Sequence, residues 1–100
     1  MNYNINLQDI ADKLDFDLED VEMIMEAFLE GANESLLALK EAIDKNDFEE
    51  IFMHAHAIKG SAANITLMDI SDLAKEIESS ANEKKEIDYS HKYDSLKKLV

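Results

Sequence analysis

The chain of 100 residues has no cysteine and no proline, and its only glycines are Gly31 and Gly60. Without cysteine, neither disulfides nor thiolate zinc sites are possible, so packing alone must hold the fold together. Without proline and with so little glycine, almost nothing interrupts a helical pattern, and alanine, leucine, isoleucine, glutamate, lysine and aspartate dominate the composition. The sequence therefore predicts an all-α protein.

Long apolar runs and a basic leader are also missing. No stretch approaches the roughly 18 apolar residues of a membrane span, and the start MNYNINLQDI lacks a basic segment followed by an apolar run. We therefore expect a cytoplasmic protein with no membrane partner. A monomer is also expected. With 23 acidic and 10 basic residues, the formal charge of −13 would repel phosphate backbones. No nucleic-acid partner is expected.

Apolar residues recur at spacings of three and four along most of the chain, a pattern typical of amphipathic helices. The first two expected helices are a short helix over NLQDIADKL and a long helix that is capped by Asp17 and runs from Leu18 to DKND. Three more helices are expected from Asn46 or Asp47 to Ile65, from about Thr66 to Ala81, and from about Asp88 to Val100. Narrow apolar seams and short polar turns predict an antiparallel four-helix bundle with a short additional N-terminal helix. This length suits a single domain over residues 1–100, too small for a deep active-site cavity.

Two histidines lie close together in the stretch FMHAHAIKGSAANI, separated by one residue. At about 100° per residue, His54 lies roughly 60° from the centre of the apolar arc of its helix, and His56 roughly 140° away on the opposite flank. Two ligands on one helix share a metal ion when they are three or four residues apart, so no metal site is expected here. The two side chains must therefore be considered separately.

His56 lies in a low, apolar patch of its helix. Phe52 and Met53 precede it by one turn, and Gly60 and Ala63 follow it by one and two turns. A glycine inside a helix is unfavourable unless something needs the room, and a side chain at this position would cover the imidazole. The patch therefore predicts an accessible ring.

Lys59 lies one turn beyond His56 on its other edge, where its ammonium group can approach an anion attached to the ring. A neutral imidazole is a competent nucleophile near pH 7, and a phosphoramidate formed on it is labile enough to be passed on. Histidine, cation and clearance together predict a site that carries a phosphoryl group.

The run HAIKGSAANI, which begins at His56, resembles the motif of histidine phosphotransfer (HPt) domains, roughly H-x-L-K-G-S-S/A-x-N-L/I-G. The following DLAKEIE resembles the next helix of that family. The upstream AFLEGANESLLALKEAIDKNDFEEIFMHAH resembles its long helix, acidic turn and entry into the histidine helix. One departure is Thr66, which stands where the family often has glycine, and we expect its hydroxyl to cap the fourth helix.

The resemblance implies that His56 accepts a phosphoryl group from an aspartate of a response-regulator receiver domain and passes it to another receiver. Such a domain is a carrier rather than an enzyme and binds no cofactor, since the receiver supplies magnesium. A hybrid histidine kinase is a further expected partner. Glu78 aligns with a polar position that reaches toward the histidine in many family members, and its carboxylate would accept a hydrogen bond from Nδ1–H.

The expected roles of the other site residues follow from their positions around the ring. Lys59 and Gly60 are expected to support the phosphoryl site, and Phe52, Met53 and Ala63 are expected to contact the partner.

Two other functions remain open. One is the phosphate-accepting domain of a chemotaxis-type histidine kinase, which an ATP-binding domain would load. The other is a helical adaptor without phosphorylation, which gives no reason for a histidine, a lysine and a glycine within one turn.

Overall fold

The computed structural model describes residues 5–100, which form five α-helices and, over that range, no β-strand. The helices are α1 Leu7–Leu14, α2 Leu18–Asp44, α3 Phe48–Asn64, α4 Met68–Asn82 and α5 Tyr89–Leu99. The prediction of an all-helical protein is confirmed, and each expected helix is present close to its expected bounds. Within the described residues, none of these helices combines the length and the apolar character needed to cross a membrane.

Local sequence explains where most of the helices start. Asn6, Asp47 and Asp88 are the N-caps of α1, α3 and α5, and each side chain accepts a hydrogen bond from the backbone N–H three residues later. Asp17 stands at the start of α2 as expected, but its side chain makes no capping hydrogen bond. Acidic residues in the first turn of α2 still complement the helix dipole.

The helices bury one continuous apolar core. Helix α3 packs against α2 and α4, α5 packs against the same two helices, and α1 packs on α2. The large side chains that are almost completely buried come from all five helices: Ile10, Val21, Met25, Leu39, Ile51, Ile58, Ile77 and Leu96. Because α3 lies between α2 and α4, the side of α3 that faces away from the core is left to solvent.

The most extensive contact between helices joins α3 and α4. The two helices contribute small side chains to the core, since Ala55 and Ala62 of α3 and Ala74 and Ala81 of α4 are all buried. Alanine lets two helix backbones approach closely, because no long side chain holds them apart. Polar side chains at the edges of the two helices can therefore meet across this interface.

The turn between α3 and α4 differs from the expectation. Thr66 has a left-handed backbone conformation with φ of 62°. Leu67 is the N-cap of α4, without a side-chain capping bond, and the buried Thr66 hydroxyl makes no hydrogen bond with the protein. The prediction that Thr66 caps α4 is therefore wrong. A residue that reverses the chain in the left-handed region does not have the extended backbone that an N-cap needs.

We expect Thr66→Gly to stabilise the protein by about 1 kcal/mol. A left-handed conformation costs an L-residue with a Cβ about 1–2 kcal/mol, and the greater freedom of glycine in the unfolded chain returns part of this. For a domain of this size, the gain raises the midpoint of thermal unfolding by about 4–8 °C, which circular dichroism would measure.

Asn46→Gly is the matched control for this prediction. Asn46 also has a left-handed backbone, with φ of 56°, but asparagine tolerates this conformation better than β-branched threonine does. Its replacement should therefore raise the midpoint much less. An unchanged or lower midpoint for Thr66→Gly would contradict the presence of strain at this turn.

Candidate functional site

Glu78 is the centre of a polar cluster between α3 and α4. Its side chain is only 13% exposed and lies between Lys59 and His56. Lys59 Nζ donates a hydrogen bond of 3.0 Å to Glu78 Oε1 and lies 2.8 Å from Oε2. His56 Nδ1 lies 3.4 Å from Oε1, at the long end of the hydrogen-bonding range. The cluster therefore joins a carboxylate of α4 to a cation and an imidazole of α3.

The ionisation of Glu78 determines what the cluster can do. Burial acts to raise the pKa of the Glu78 carboxyl, but the hydrogen bonds and charges of Lys59 and His56 together outweigh it and hold that pKa below its usual value. Glu78 is therefore ionised at neutral pH and can only accept hydrogen bonds. An imidazole that faces it with Nδ1 donates from Nδ1–H, which leaves the lone pair on Nε2.

Ser71 fixes the backbone beneath this cluster. Its side chain is buried, and Ser71 Oγ donates a hydrogen bond of 3.1 Å to the backbone carbonyl of Lys59. This bond ties α4 to α3 at the residue that pairs with Glu78. Sequence reasoning did not identify Ser71. The available signal was its spacing of two turns from Glu78, which places both side chains on the same edge of α4.

The two histidines of α3 have different environments. The His56 side chain is 59% exposed, and with Nδ1 directed at Glu78 its Nε2 is turned away from that carboxylate. His54 is 26% exposed, and its Nε2 lies 3.0 Å from Glu50 Oε2 in a groove between α2 and α3. Nε2 therefore points away from the neighbouring carboxylate in His56, whereas in His54 the same nitrogen faces one. Of these two rings, His56 is the better placed to react through Nε2.

The remaining predicted residues surround His56 on the outer side of α3. The half-buried Phe52 ring stacks on the imidazole, with the ring centroids 5.9 Å apart and the planes inclined by 15°. The Met53 residue is 52% exposed, and Gly60 and Ala63 are exposed. A Cβ at Gly60 would meet nothing within 4 Å, so internal packing does not require a glycine there.

Comparison with known proteins gives a family match for most of the chain. A family model described as Hpt domain matches residues 23–99, a range that begins within α2 and ends with α5. No curated protein and no solved structure matches the chain.

Proposed function

The chain belongs to the Hpt domain family, and from this premise we propose that His56 carries a phosphoryl group in a two-component phosphorelay. Hpt domains act in phosphotransfer and interact with receiver domains. The donor in our proposal is the phosphorylated aspartate of one receiver, and the acceptor is the aspartate of another. The observation that carries the proposal is the Glu78 carboxylate 3.4 Å from Nδ1 of an exposed imidazole, since a donor at Nδ1 leaves Nε2 as the nucleophile.

The proposed step exchanges one bond to phosphorus for another. The Nε2 lone pair of His56 attacks the phosphorus atom of the aspartyl phosphate, the Nε2–P bond forms, and the P–O bond breaks to release the aspartate carboxylate. The ring becomes cationic while Nδ1–H remains directed at Glu78. A carboxylate that is in place before the reaction stabilises this charge without reorganisation. Transfer to the second receiver is the same step in reverse.

Lys59 is proposed to balance the charges at the site. In the unphosphorylated protein its ammonium neutralises Glu78. Its flexible four-carbon stem and its rotatable donors allow it to contact an oxygen of a phosphoryl group on the neighbouring His56 as well. The protein itself then needs no metal ion, because the receiver brings magnesium and its own acidic pocket to the transfer.

The scaffold that we propose is an antiparallel four-helix bundle with α1 in addition, within one domain over residues 1–100. His56 of α3 pairs with Glu78 of α4. Lys59 lies later in α3, and its backbone carbonyl accepts a hydrogen bond from Ser71, which lies earlier in α4. Contacts of this order are those of antiparallel helices. The short turns between the helices and the single core support the same arrangement.

The partner surface in this proposal is the outer side of α3 around His56. Met53 and Ala63 are exposed there, and Phe52 is half-buried. Small interfaces depend on a few apolar anchors near their centre, so we propose that a monomer contacts the receiver through these side chains.

Transfer from a phosphorylated receiver tests the proposed function. The protein is incubated with a receiver domain that carries a radiolabelled phosphoryl group, and the label is expected to move to this chain. A phosphoramidate on histidine is labile in acid and stable in base, which separates it from a phosphoserine ester. A protein that binds the receiver and takes up no label would be an adaptor, and the proposal would be wrong.

Gly60 allows a prediction about the clearance around the ring. Gly60→Ala should be more stable by up to about 1 kcal/mol and should transfer at the parent rate, because its Cβ meets nothing within 4 Å. Gly60→Leu should keep most of the gain in stability, but its side chain leans back over the imidazole. Misplacing an approaching partner should then slow transfer by roughly tenfold or more.

Thermal melts and transfer rates of the two Gly60 variants check this prediction together. The alanine variant is the control for helix propensity, since it adds a side chain without covering the ring. A leucine variant that is more stable and transfers at the parent rate would show that the glycine has no role in partner access.

A further inference from the structure

The imidazole of His56 is held from a second direction, by the ring of Phe52. The two rings are nearly parallel, with an inclination of 15° and a centroid separation of 5.9 Å. They are four residues apart on α3, and a helical side chain leans toward the N-terminus of its helix, so the imidazole leans over the turn that carries Phe52. The backbone direction of α3 therefore brings the imidazole close to Phe52, and the side-chain rotamers complete the contact.

Phe52 is itself fixed in place. Its side chain is half-buried and packs against the apolar core, while the imidazole that it touches is largely in solvent. A ring that is anchored in the core loses little freedom when a second ring stacks on it, whereas an exposed imidazole would otherwise sample several rotamers. The contact therefore restricts His56 more than it restricts Phe52.

The sides of the imidazole are then occupied unequally. One face lies against Phe52, and the Nδ1 edge faces Glu78. The next turn on α3 carries Gly60, where even a Cβ would meet nothing within 4 Å. The Nε2 edge, along which the lone pair points in the plane of the ring, is left for an approaching group.

We infer that Phe52 is a positioning residue: its ring holds His56 in the rotamer that directs Nε2, whose lone pair lies in the plane of the ring, outward to the phosphoryl donor. This inference rests on the proposed function of His56 as the phosphoryl acceptor. It assigns Phe52 a role through the imidazole, in addition to any contact that its side chain makes with the partner.

Two phosphoryl donors, a phosphorylated receiver and phosphoramidate, separate the positioning role of Phe52 from a contact with the partner. Phosphoramidate is a small donor that needs no docking surface, so its rate of reaction with His56 reports on the ring alone. Phe52→Leu is expected to slow this reaction by between about twofold and tenfold, the factor that corresponds to the usual contribution of an aromatic pair. The His56 ring protons should lose the ring-current shift caused by Phe52, and the nitrogen signals should show less of the Nδ1–H tautomer.

Two further variants serve as controls. Phe52→Tyr keeps the stacked ring and should behave as the parent protein. Phe48→Leu removes another half-buried aromatic side chain of α3, whose ring packs near Tyr89 with a centroid separation of 6.1 Å. It should lower the melting temperature without changing the His56 signals or the rate with phosphoramidate.

The outcomes distinguish the inference from the proposed function. A Phe52→Leu variant with parent ring signals and the parent rate with phosphoramidate would overturn the positioning role, also if it bound the receiver less tightly. A Phe48→Leu variant that is slowed equally would overturn it too, since the effect would then be one of stability. If the parent protein accepts no phosphoryl group from a receiver, the proposed function fails. The tautomer signals of the His56 nitrogens in Phe52→Leu still decide whether Phe52 positions His56.

Discussion

His56→Gln is expected to abolish acceptance of the phosphoryl group, whereas His54→Gln should retain most of it. Glutamine keeps a polar side chain of similar length but has no nucleophilic nitrogen, so labelling should fall by about a thousandfold or more, to background. His56 is 59% exposed, so its replacement should leave the fold intact. Labelling by a phosphorylated receiver and thermal melts of the two variants measure these effects.

The His54 variant controls for the loss of an imidazole from the same helix. It removes a contact of 3.0 Å between His54 and Glu50 one turn away, and such pairs contribute only about 0.2–0.5 kcal/mol. Both variants should therefore melt close to the parent protein. If His56→Gln still took up acid-labile label, His56 would not be the phosphoryl acceptor. If His54→Gln took up no label, the acceptor would be His54 instead.

The helices were predictable because their apolar residues repeat every three or four positions and almost no glycine or proline interrupts them. The turn at Thr66 was not, because a threonine before a helix is ordinarily an N-cap. Its conformation is instead set by the end of α3, where the chain has to reverse, and Thr66 takes the left-handed position. A residue's preference for a cap is a local property, whereas the path of a turn depends on the two helices that it joins.

The candidate site could be predicted only in part for a similar reason. The angular position of each residue around α3 follows from about 100° per residue, which was enough to separate His56 from His54. The contact with Glu78 joins two helices, so it depends on their rotation and offset, and only the resemblance to a family indicated it. Phe52 was placed beside the ring by its spacing, but the stack itself depends on side-chain rotamers, which the spacing does not determine.

Glu78→Ala is expected to slow phosphoryl transfer by about tenfold to a hundredfold without abolishing it, by analogy with the loss caused by removing the partner that orients a metal-binding histidine. The variant loses the acceptor at His56 Nδ1 and leaves the half-buried Lys59 without its partner. The second loss should lower the free energy of unfolding by about 1–2 kcal/mol. Transfer rates, the tautomer signals of the His56 nitrogens and thermal melts measure the three effects.

Glu78→Gln separates the charge of this carboxylate from its hydrogen bonds. The amide oxygen can still accept from Nδ1–H, so this variant should keep more of the Nδ1–H tautomer than Glu78→Ala does, while it loses the stabilisation of the cationic ring.

The charge of Glu78 also makes the stability of the protein depend on pH. Because Lys59 and His56 hold the pKa of Glu78 below its ordinary value of 4.5, the ionised carboxylate stabilises the fold above that pH, and this contribution disappears as the pH falls through the lower pKa of the folded state. The difference in the free energy of unfolding between the parent protein and Glu78→Gln should therefore be constant from neutral pH down to about the ordinary pKa of 4.5. It should shrink as the pH falls from there through the lower pKa of the folded state. Equal transfer rates and equal tautomer signals in all three proteins would leave Glu78 with no role at His56, whatever its contribution to stability.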